Sequence, residues 1–278
     1  MKMNAFRIMT YPYLIWITIM IVIPMFLIVI QAFTVPGNDV ITFRFSLENF
    51  ERFVTDEGFL GVLGRSMLVA AITTVLCMIF GYPIAYIISK LPGRKNVLMI
   101  LLITFPTWIN MLVRTYAWRG MLQTGGLFST ILSFFGFTDV TLLETHFAVA
   151  LGMVYNFLPF MILQIHTSLA KMDNSLLEAA ADLGADKFQS FWRITFPLSM
   201  PGVISGITLV FLPAVSAFFI PGLLGGGQYV LVGNLIEEQF IKNSEYHFGS
   251  AISMIMAILI IVSMWMTRKI DKQQKLEG

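Results

Sequence analysis

Few residues in this chain are of the types that make or break bonds, and their spacing does not bring them together. His146, His166 and His247 are scattered, no H-E-x-x-H pair occurs, and Cys77 has no second cysteine to pair with, so neither a zinc site nor a thiol centre is supported. Gly225-Gly226-Gly227 lacks the lysine and the G-x-x-x-x-G-K-[ST] spacing that cradle nucleotide phosphates, and it reads as a flexible extracytoplasmic turn. What the chain does have is amides and aromatic rings within apolar runs. Asn110, Asn156 and Gln164 fall inside such runs, where polar groups are costly and usually face a bundle interior. Near them stand Phe105, Trp108, Tyr116, Trp118, Tyr155, Phe157, Phe218 and Phe219. For any one of these, interhelical hydrogen bonding or an interfacial aromatic belt is the ordinary reading. As a set, Trp108, Asn110, Tyr155, Asn156, Phe218 and Phe219 read as a path for an organic cation, because a ring attracts a cation by roughly 0.5–2 kcal/mol and still lets it leave.

A second chemical signal is the polar stretch from Met172 to Pro201, set between two apolar segments. Ser175 followed by Glu178 fits a capping box and predicts a helix start. Leu176, Ala179, Ala180 and Leu183 recur at helical spacing as a small apolar face, and Gly184 sits where a left-handed cap would end the helix. A second short helix is predicted to carry Phe188, Phe191 and Trp192 on one face, with Arg193 near its end. Pro197 and Pro201 are expected to stop and redirect the backbone before the next apolar run.

The elements that must position these residues are membrane spans. The chain has 278 residues, 57% hydrophobic and only 12% charged, about half the charge of a soluble domain, and its mean hydropathy is +0.79. The net charge of +2 says nothing of nucleic acid. An all-α bundle of about six spans is predicted: residues 11–32, kinked at Pro24, then 62–89, 97–118, 146–167, 198–220 with Pro213 inside, and 248–267. The first apolar run is longer than the roughly 7–15 residues of a cleaved signal, and no small-x-small site follows, so it reads as a retained span. Ser46 is read as the cap of a short surface helix. The intervening loops hold Asp39, Glu48, Glu51, Asp56 and Glu57, then Asp139 and Glu144, then Glu237, Glu238 and Glu245. Placing both termini in the cytoplasm collects Lys2, Arg7, Lys90, Arg94, Lys95, Lys171, Lys187, Arg193 and the tail cations Arg268, Lys269, Lys272 and Lys275 on that side. No internal repeat is obvious, so residues 1–278 read as one transmembrane bundle domain with its cytoplasmic loop at 168–197.

Glu178-Ala179-Ala180, Gly184 six positions after the glutamate, then Ile194 and Pro197 resemble the EAA loop of permease subunits of binding-protein-dependent ABC importers. Phe196 stands where that pattern more often has leucine. The resemblance implies that Glu178, Ala179, Ala180, Gly184, Ile194 and Pro197 couple the bundle to a separate ATPase subunit, which binds ATP and Mg, so that this chain needs no cofactor and is not itself an enzyme. It further implies a second homologous permease subunit, an ATP-binding dimer and an extracytoplasmic substrate-binding protein in a bacterial cytoplasmic membrane. Within that family, Phe105-Pro106-Thr107-Trp108-Ile109-Asn110 with Leu112-Val113-Arg114-Thr115-Tyr116-Ala117-Trp118, and Leu158-Pro159-Phe160, are similar to the polyamine permeases. That likeness implies spermidine or putrescine as cargo, moved by alternating access. Arg114 and Arg119 are expected to face headgroups or acidic loops. Another small solute on the same scaffold is the alternative. An ion-coupled transporter or channel would more naturally carry Asp or Glu within its spans, and none of the six does. A membrane enzyme would need a convergent cluster of reactive side chains at one depth, and none is found.

Overall fold

A computed structural model describes residues 2–35, 44–137, 140–227 and 229–277. Asp39 and Asp139, counted above among the loop acids, lie outside these. The chain forms two compact units, Met1–Gly61 with Leu235–Ile260, and Val62–Asn234 with Ile261–Gly278.

In the first unit, helix α1 (Lys2–Ile17) passes through a π turn at Thr18–Val22 into α2 (Ile23–Ala32). Pro24, which has no N–H to give, follows directly on that turn, so the irregularity expected at Pro24 takes the form of a widened turn. Strands β1 (Thr34–Val35) and β2 (Arg44–Phe45) pair antiparallel ahead of α3 (Glu48–Thr55), whose cap position is Leu47 and not the expected Ser46; Ser46 Oγ accepts from Glu48 N at 3.1 Å from one residue further out. Rings hold the unit together. Phe33 lies 5.6 Å from Phe45 and 5.1 Å from Phe50, and Phe59 lies 6.1 Å from Phe53 and 5.0 Å from Phe248. Arg52 lays its guanidinium 4.2 Å from the Phe248 ring and pairs with Glu245 at 2.8 Å, so one side chain closes the cluster and neutralises an acid.

The second unit is built on α4 (Glu57–Ser89), α5 (Gly93–Thr104), α6 (Met111–Leu122), α7 (Leu127–Phe134), α8 (His146–Ala170), α9 (Ser175–Asp182), α10 (Lys187–Ser190), α11 (Phe196–Val215) and α12 (Phe219–Leu224). Later come α13 (Val232–Glu237) and α14 (Tyr246–Glu277). At 25 residues, α8 is about 38 Å long, enough to cross a bilayer core, and it is the buried axis of the unit.

Glycines let other helices approach α8. A Cβ on Gly202 would lie 2.6 Å from the Gln164 carbonyl, and one on Gly206 would lie 2.5 Å from Met161 Sδ. The pair, four apart on α11, therefore brings two backbones together, the close packing that lipid-embedded helices use because apolar side chains gain little by leaving lipid. Gly81 of α4 meets Met161 in the same manner, and Gly152 of α8 leaves room for Leu224 and Ile220 of α12. Polar links lie at the edges. The Tyr82 and Ser199 hydroxyls are 2.8 Å apart, and Val232 N donates to Ser66 Oγ at 2.8 Å.

Among the described residues five helices are long and apolar enough to cross a membrane, namely Thr10–Ala32, Glu57–Ser89, His146–Ala170, Lys187–Val215 and Tyr246–Trp265, and a sixth results if a pair bent by 90° counts as one span. That pair corrects the expectation of a continuous third span over 97–118. Gly93–Trp108 and Met111–Phe134 meet at a break. Pro106 lies in a 3-10 turn, Phe105–Trp108, after which Ile109 is extended. Asn110 then restarts the helix by accepting from Leu112 N at 2.8 Å.

The prolines of the fifth span also behave differently from expectation. Pro197 and Pro201 do not stop the chain, because α10 runs through a π turn at Phe191–Thr195 directly into α11. Pro197 sits at the start of α11, where its missing N–H costs least, and the wide turn just before it relieves the crowding around its ring. The span ends earlier than residue 220, at Val215. Three residues on, the Phe218 carbonyl accepts both from Gly222 N at 3.0 Å, which opens the separate helix α12, and from Asn234 Nδ2 at 2.8 Å.

Candidate coupling surface and path

At one end of α8, α9 projects from the second unit. Of its residues only Ala180 is buried, while Leu183, just past its end, is 89% exposed. The expected capping box at Ser175 and Glu178 is not formed. Asp173 Oδ1 instead accepts from Ser175 N at 2.9 Å, and with its amide already taken Ser175 becomes the first helical residue and not the cap. Those bonds from the Ser175 amide and hydroxyl hold the Asp173 carboxyl below its ordinary range. The capping box lies one helix later: Asp186 Oδ1 accepts from Gln189 N at 2.7 Å, and Gln189 Oε1 accepts in return from Asp186 N.

Gly184 is where a left-handed residue was expected, with φ of 82°. Gly184 N donates to the Ala181 carbonyl and Ala185 N to the Ala180 carbonyl, both at 2.9 Å, which satisfies two orphan acceptors and turns the chain towards α10. The Glu178 side chain is exposed and makes no hydrogen bond or ion pair among the described residues.

The base of this projection is an aromatic seat. Phe191 stands edge-on to Tyr82 at 5.8 Å and to Tyr86 at 5.5 Å, and Phe196 lies 5.7 Å from Tyr82. Trp192 bridges Phe196 at 5.1 Å and Phe188 at 6.2 Å, which joins the three aromatic residues expected on one face. Such ring pairs each add about 0.5–1.5 kcal/mol beyond burial, so the seat fixes the π turn and the start of α11 to α4. Ile194 lies half-buried in the π turn and Pro197 is exposed beside it.

The path candidates divide. Asn156 is 2% exposed, its Nδ2 donates to the Gly152 carbonyl at 2.8 Å, and its Oδ1 is buried without a partner. Tyr155 packs edge-on against Trp118 at 5.2 Å, and Trp118 stacks on Phe128 at 5.9 Å. Phe218 and Phe219 lie 4.0 Å apart at the start of α12, which packs on both α6 and α8. Tyr155, Asn156, Phe218 and Phe219 thus belong to one neighbourhood of three helices. Trp108, 72% exposed, and Asn110, also exposed, stand at the α5–α6 break, with Phe105 6.0 Å from Trp108.

Arg114 is a correction. It faces inward, its Nε and Nη1 buried without hydrogen-bond partners, and its guanidinium lies 5.9 Å from the Tyr155 ring and not against an acidic loop. The histidines are engaged locally: His146 lies 4.2 Å from the Tyr229 ring, His166 Nε2 is 3.1 Å from Asn96 Nδ2, and His247 Nδ1 is 3.1 Å from Thr34 Oγ1. Among the described residues no group of three or more His, Cys, Asp or Glu could hold a metal ion.

Comparison with known proteins defines the class. Residues 80–275 match the binding-protein-dependent transport system inner membrane component family, and the chain belongs to that family. It is a multi-pass inner-membrane protein with the fold of a type I ABC importer permease. The chain is 36% identical over 269 residues to the spermidine/putrescine transport system permease protein PotB of Haemophilus influenzae, covering 94% of each. It is equally identical to the Escherichia coli K12 protein of that name, over 94% of this chain and 98% of the other. A bacterial ABC transporter involved in import of the acidic polysaccharide alginate shares the fold, with a TM-score of 0.78, 17% identity, and coverage of 97% of this chain and 95% of that one.

Proposed function

We propose that the whole chain acts as one permease domain of an ATP-driven importer for polyamines such as spermidine and putrescine, with both termini in the cytoplasm. The observation that carries this is the exposed α9 knob, joined by the turn at Gly184 to a helix that runs from Lys187 through the α11 span and is seated on rings, in a chain with 36% identity to polyamine permeases. Glu178, Ala179, Ala180 and Gly184 present the knob to a groove on a PotA-like ATPase dimer, which supplies the ATP and Mg chemistry, and Ile194 and Pro197 sit where the knob joins the span. A PotC-like second permease completes the pathway, and a PotD-like binding protein delivers cargo from outside. Docking, ATP binding and hydrolysis move the knob. Because α10, the π turn and α11 form one continuous helix and the knob joins it through the tight turn at Gly184, the spans turn with the knob as a rigid body and alternate the path between the two sides. Tyr155, Asn156, Phe218 and Phe219 line that path, and Trp108 and Asn110 stand at its α5–α6 hinge.

The inward guanidinium of Arg114 over the Tyr155 ring favours a second reading, in which the same scaffold carries a small solute that is not a cation. Uptake into proteoliposomes containing the four-part complex separates the two. Labelled spermidine should accumulate with ATP and be displaced by putrescine but not by neutral or anionic solutes. Glu178→Ala should then cut uptake and binding-protein-stimulated ATP hydrolysis together; undiminished ATP-driven uptake would sink the coupling role.

A further inference from the structure

At the end of α8 opposite the knob, an acidic side chain is held in a backbone conformation that its residue type rarely adopts. Glu144 has φ of 64°, in the left-handed region that favours glycine. Two contacts maintain it. Glu144 N donates to the Leu224 carbonyl at 2.9 Å, which ties the loop before α8 to the end of α12. Across from it Gly226, at φ of 60°, leaves space that a Cβ would take from the Glu144 side chain, since such an atom would run into Glu144 Cβ, Cγ and Cδ. The glycine triplet that cannot cradle a phosphate is thus the bed on which this glutamate lies.

The local geometry needs no carboxylate. A glycine at position 144 would take the same φ without strain and give the same N–H to Leu224. The side chain instead lines a pocket of about 560 Å3 together with Gln123, Thr124, Thr141, Leu143 and Thr145, and is the only charged group among the described residues that line it. Thr145 is occupied, its hydroxyl donating to the Leu142 carbonyl at 2.6 Å and accepting from Ala148 N at 3.2 Å. The side chains of Gln123, Thr124, Thr141 and Glu144 make no hydrogen bond or ion pair among the described residues. One unpaired carboxylate ringed by neutral oxygen acceptors is the donor set that suits a protonated amine, which brings up to three N–H groups and one charge. A lone carboxylate is a poor cage for a divalent metal, which asks for six or more oxygens.

We propose that Glu144 is the receiving site for an ammonium group of the cargo, taken up at the mouth of the path before the aromatic groups of α8 and α12. This deepens the polyamine reading and rests on it. It supplies the carboxylate that the spans themselves lack, and it hangs on Leu224, so a movement of α12 would displace the bound amine from the pocket.

The test uses the complete complex in proteoliposomes, with labelled spermidine uptake and ATP hydrolysis measured on the same preparation. Glu144→Gln keeps shape and removes charge; it should lower spermidine delivered per ATP about tenfold, the loss of one charge-assisted hydrogen bond, and Glu144→Asp should restore a substantial part. Glu144→Gly relieves the backbone and should be as deficient as Glu144→Gln while melting no lower than the unaltered complex. Spermidine per ATP unchanged in Glu144→Gln would overturn the assignment, as would uptake and ATP hydrolysis falling in parallel, which marks a structural part. If the unaltered complex imports another solute and no polyamine, the functional reading itself falls, and this site with it.

Discussion

The seam between α8 and α11 and the knob formed by α9 are both built from small residues, and they use smallness in opposite ways. At the seam Gly202 and Gly206 remove side chains so that backbone meets backbone, and nothing larger fits. On α9, Ala179 and Ala181 are left bare and only Ala180 is buried. A face of small residues that its own chain covers is a lock; the same face left open is, in the proposed coupling role, one half of a joint with another polypeptide. The distinction rests on what lies opposite and not on composition, and mutations can press on it from both sides.

The largest effect is expected at the lock. Gly206→Leu would drive four carbons into Met161, and the folded fraction recovered from membranes, read as a monodisperse peak after detergent extraction, should fall severely; Gly206→Ala should cost about 1–3 kcal/mol by thermal melting. Next comes the knob. Gly184→Asp places a side chain at φ of 82°, which costs only about 1–2 kcal/mol, yet ATP-driven uptake should be lost because the turn from α9 to α10 is re-aimed. A Gly184→Asp complex with full uptake would erase the contrast drawn here. A smaller effect of opposite sign belongs to Arg114, whose buried Nε and Nη1 lack partners. Arg114→Met should raise the melting temperature by the equivalent of about 1 kcal/mol, and a lower melting point would show that the guanidinium has a partner in the assembled complex.

The smallest effect is electrostatic. The folded-state value of Asp173 is depressed by its bonds to Ser175. Its contribution is therefore present above the ordinary carboxylate range and fades as pH falls through the depressed value. In melting profiles taken from neutral pH into acid, Asp173→Asn should flatten the acid side and leave the neutral plateau lowered slightly; an unchanged acid limb would remove Asp173 from the account.

What the sequence made legible follows from how local each signal is. Gly184 was readable because a helix that must end between two polar runs needs a left-handed residue, and only one glycine lay there. The first, second, fourth and sixth spans were readable from length and apolarity alone. The cap was misplaced because Asp173 and Asp186 both compete for nearby amides, and Ser175 is only one residue inside the start. Pro197 and Pro201 looked like stops because a π turn, which carries no composition of its own, is what lets the helix pass them. The break at Asn110 had its signals in view, a proline followed four residues later by a capping amide, but an apolar run of the right length concealed it. Gly202 and Gly206 could have been found by their G-x-x-x-G spacing in an apolar span. Glu144 could not, since neither its φ nor its bed against Gly226 leaves a local pattern.

One helix raises a different matter. None of the apolar stretch within Thr10–Ala32 is buried inside the chain, and its anchorage is at the far end, where Ser250 donates to Gln31 Oε1 at 3.1 Å and His247 Nδ1 lies 3.2 Å from the Gln31 carbonyl and near Thr34. A rod held at its foot and otherwise turned outward lends its apolar length to whatever surrounds the chain. Exchanging that stretch for another apolar run of equal length, with Gln31 kept, is expected to leave the melting temperature unchanged.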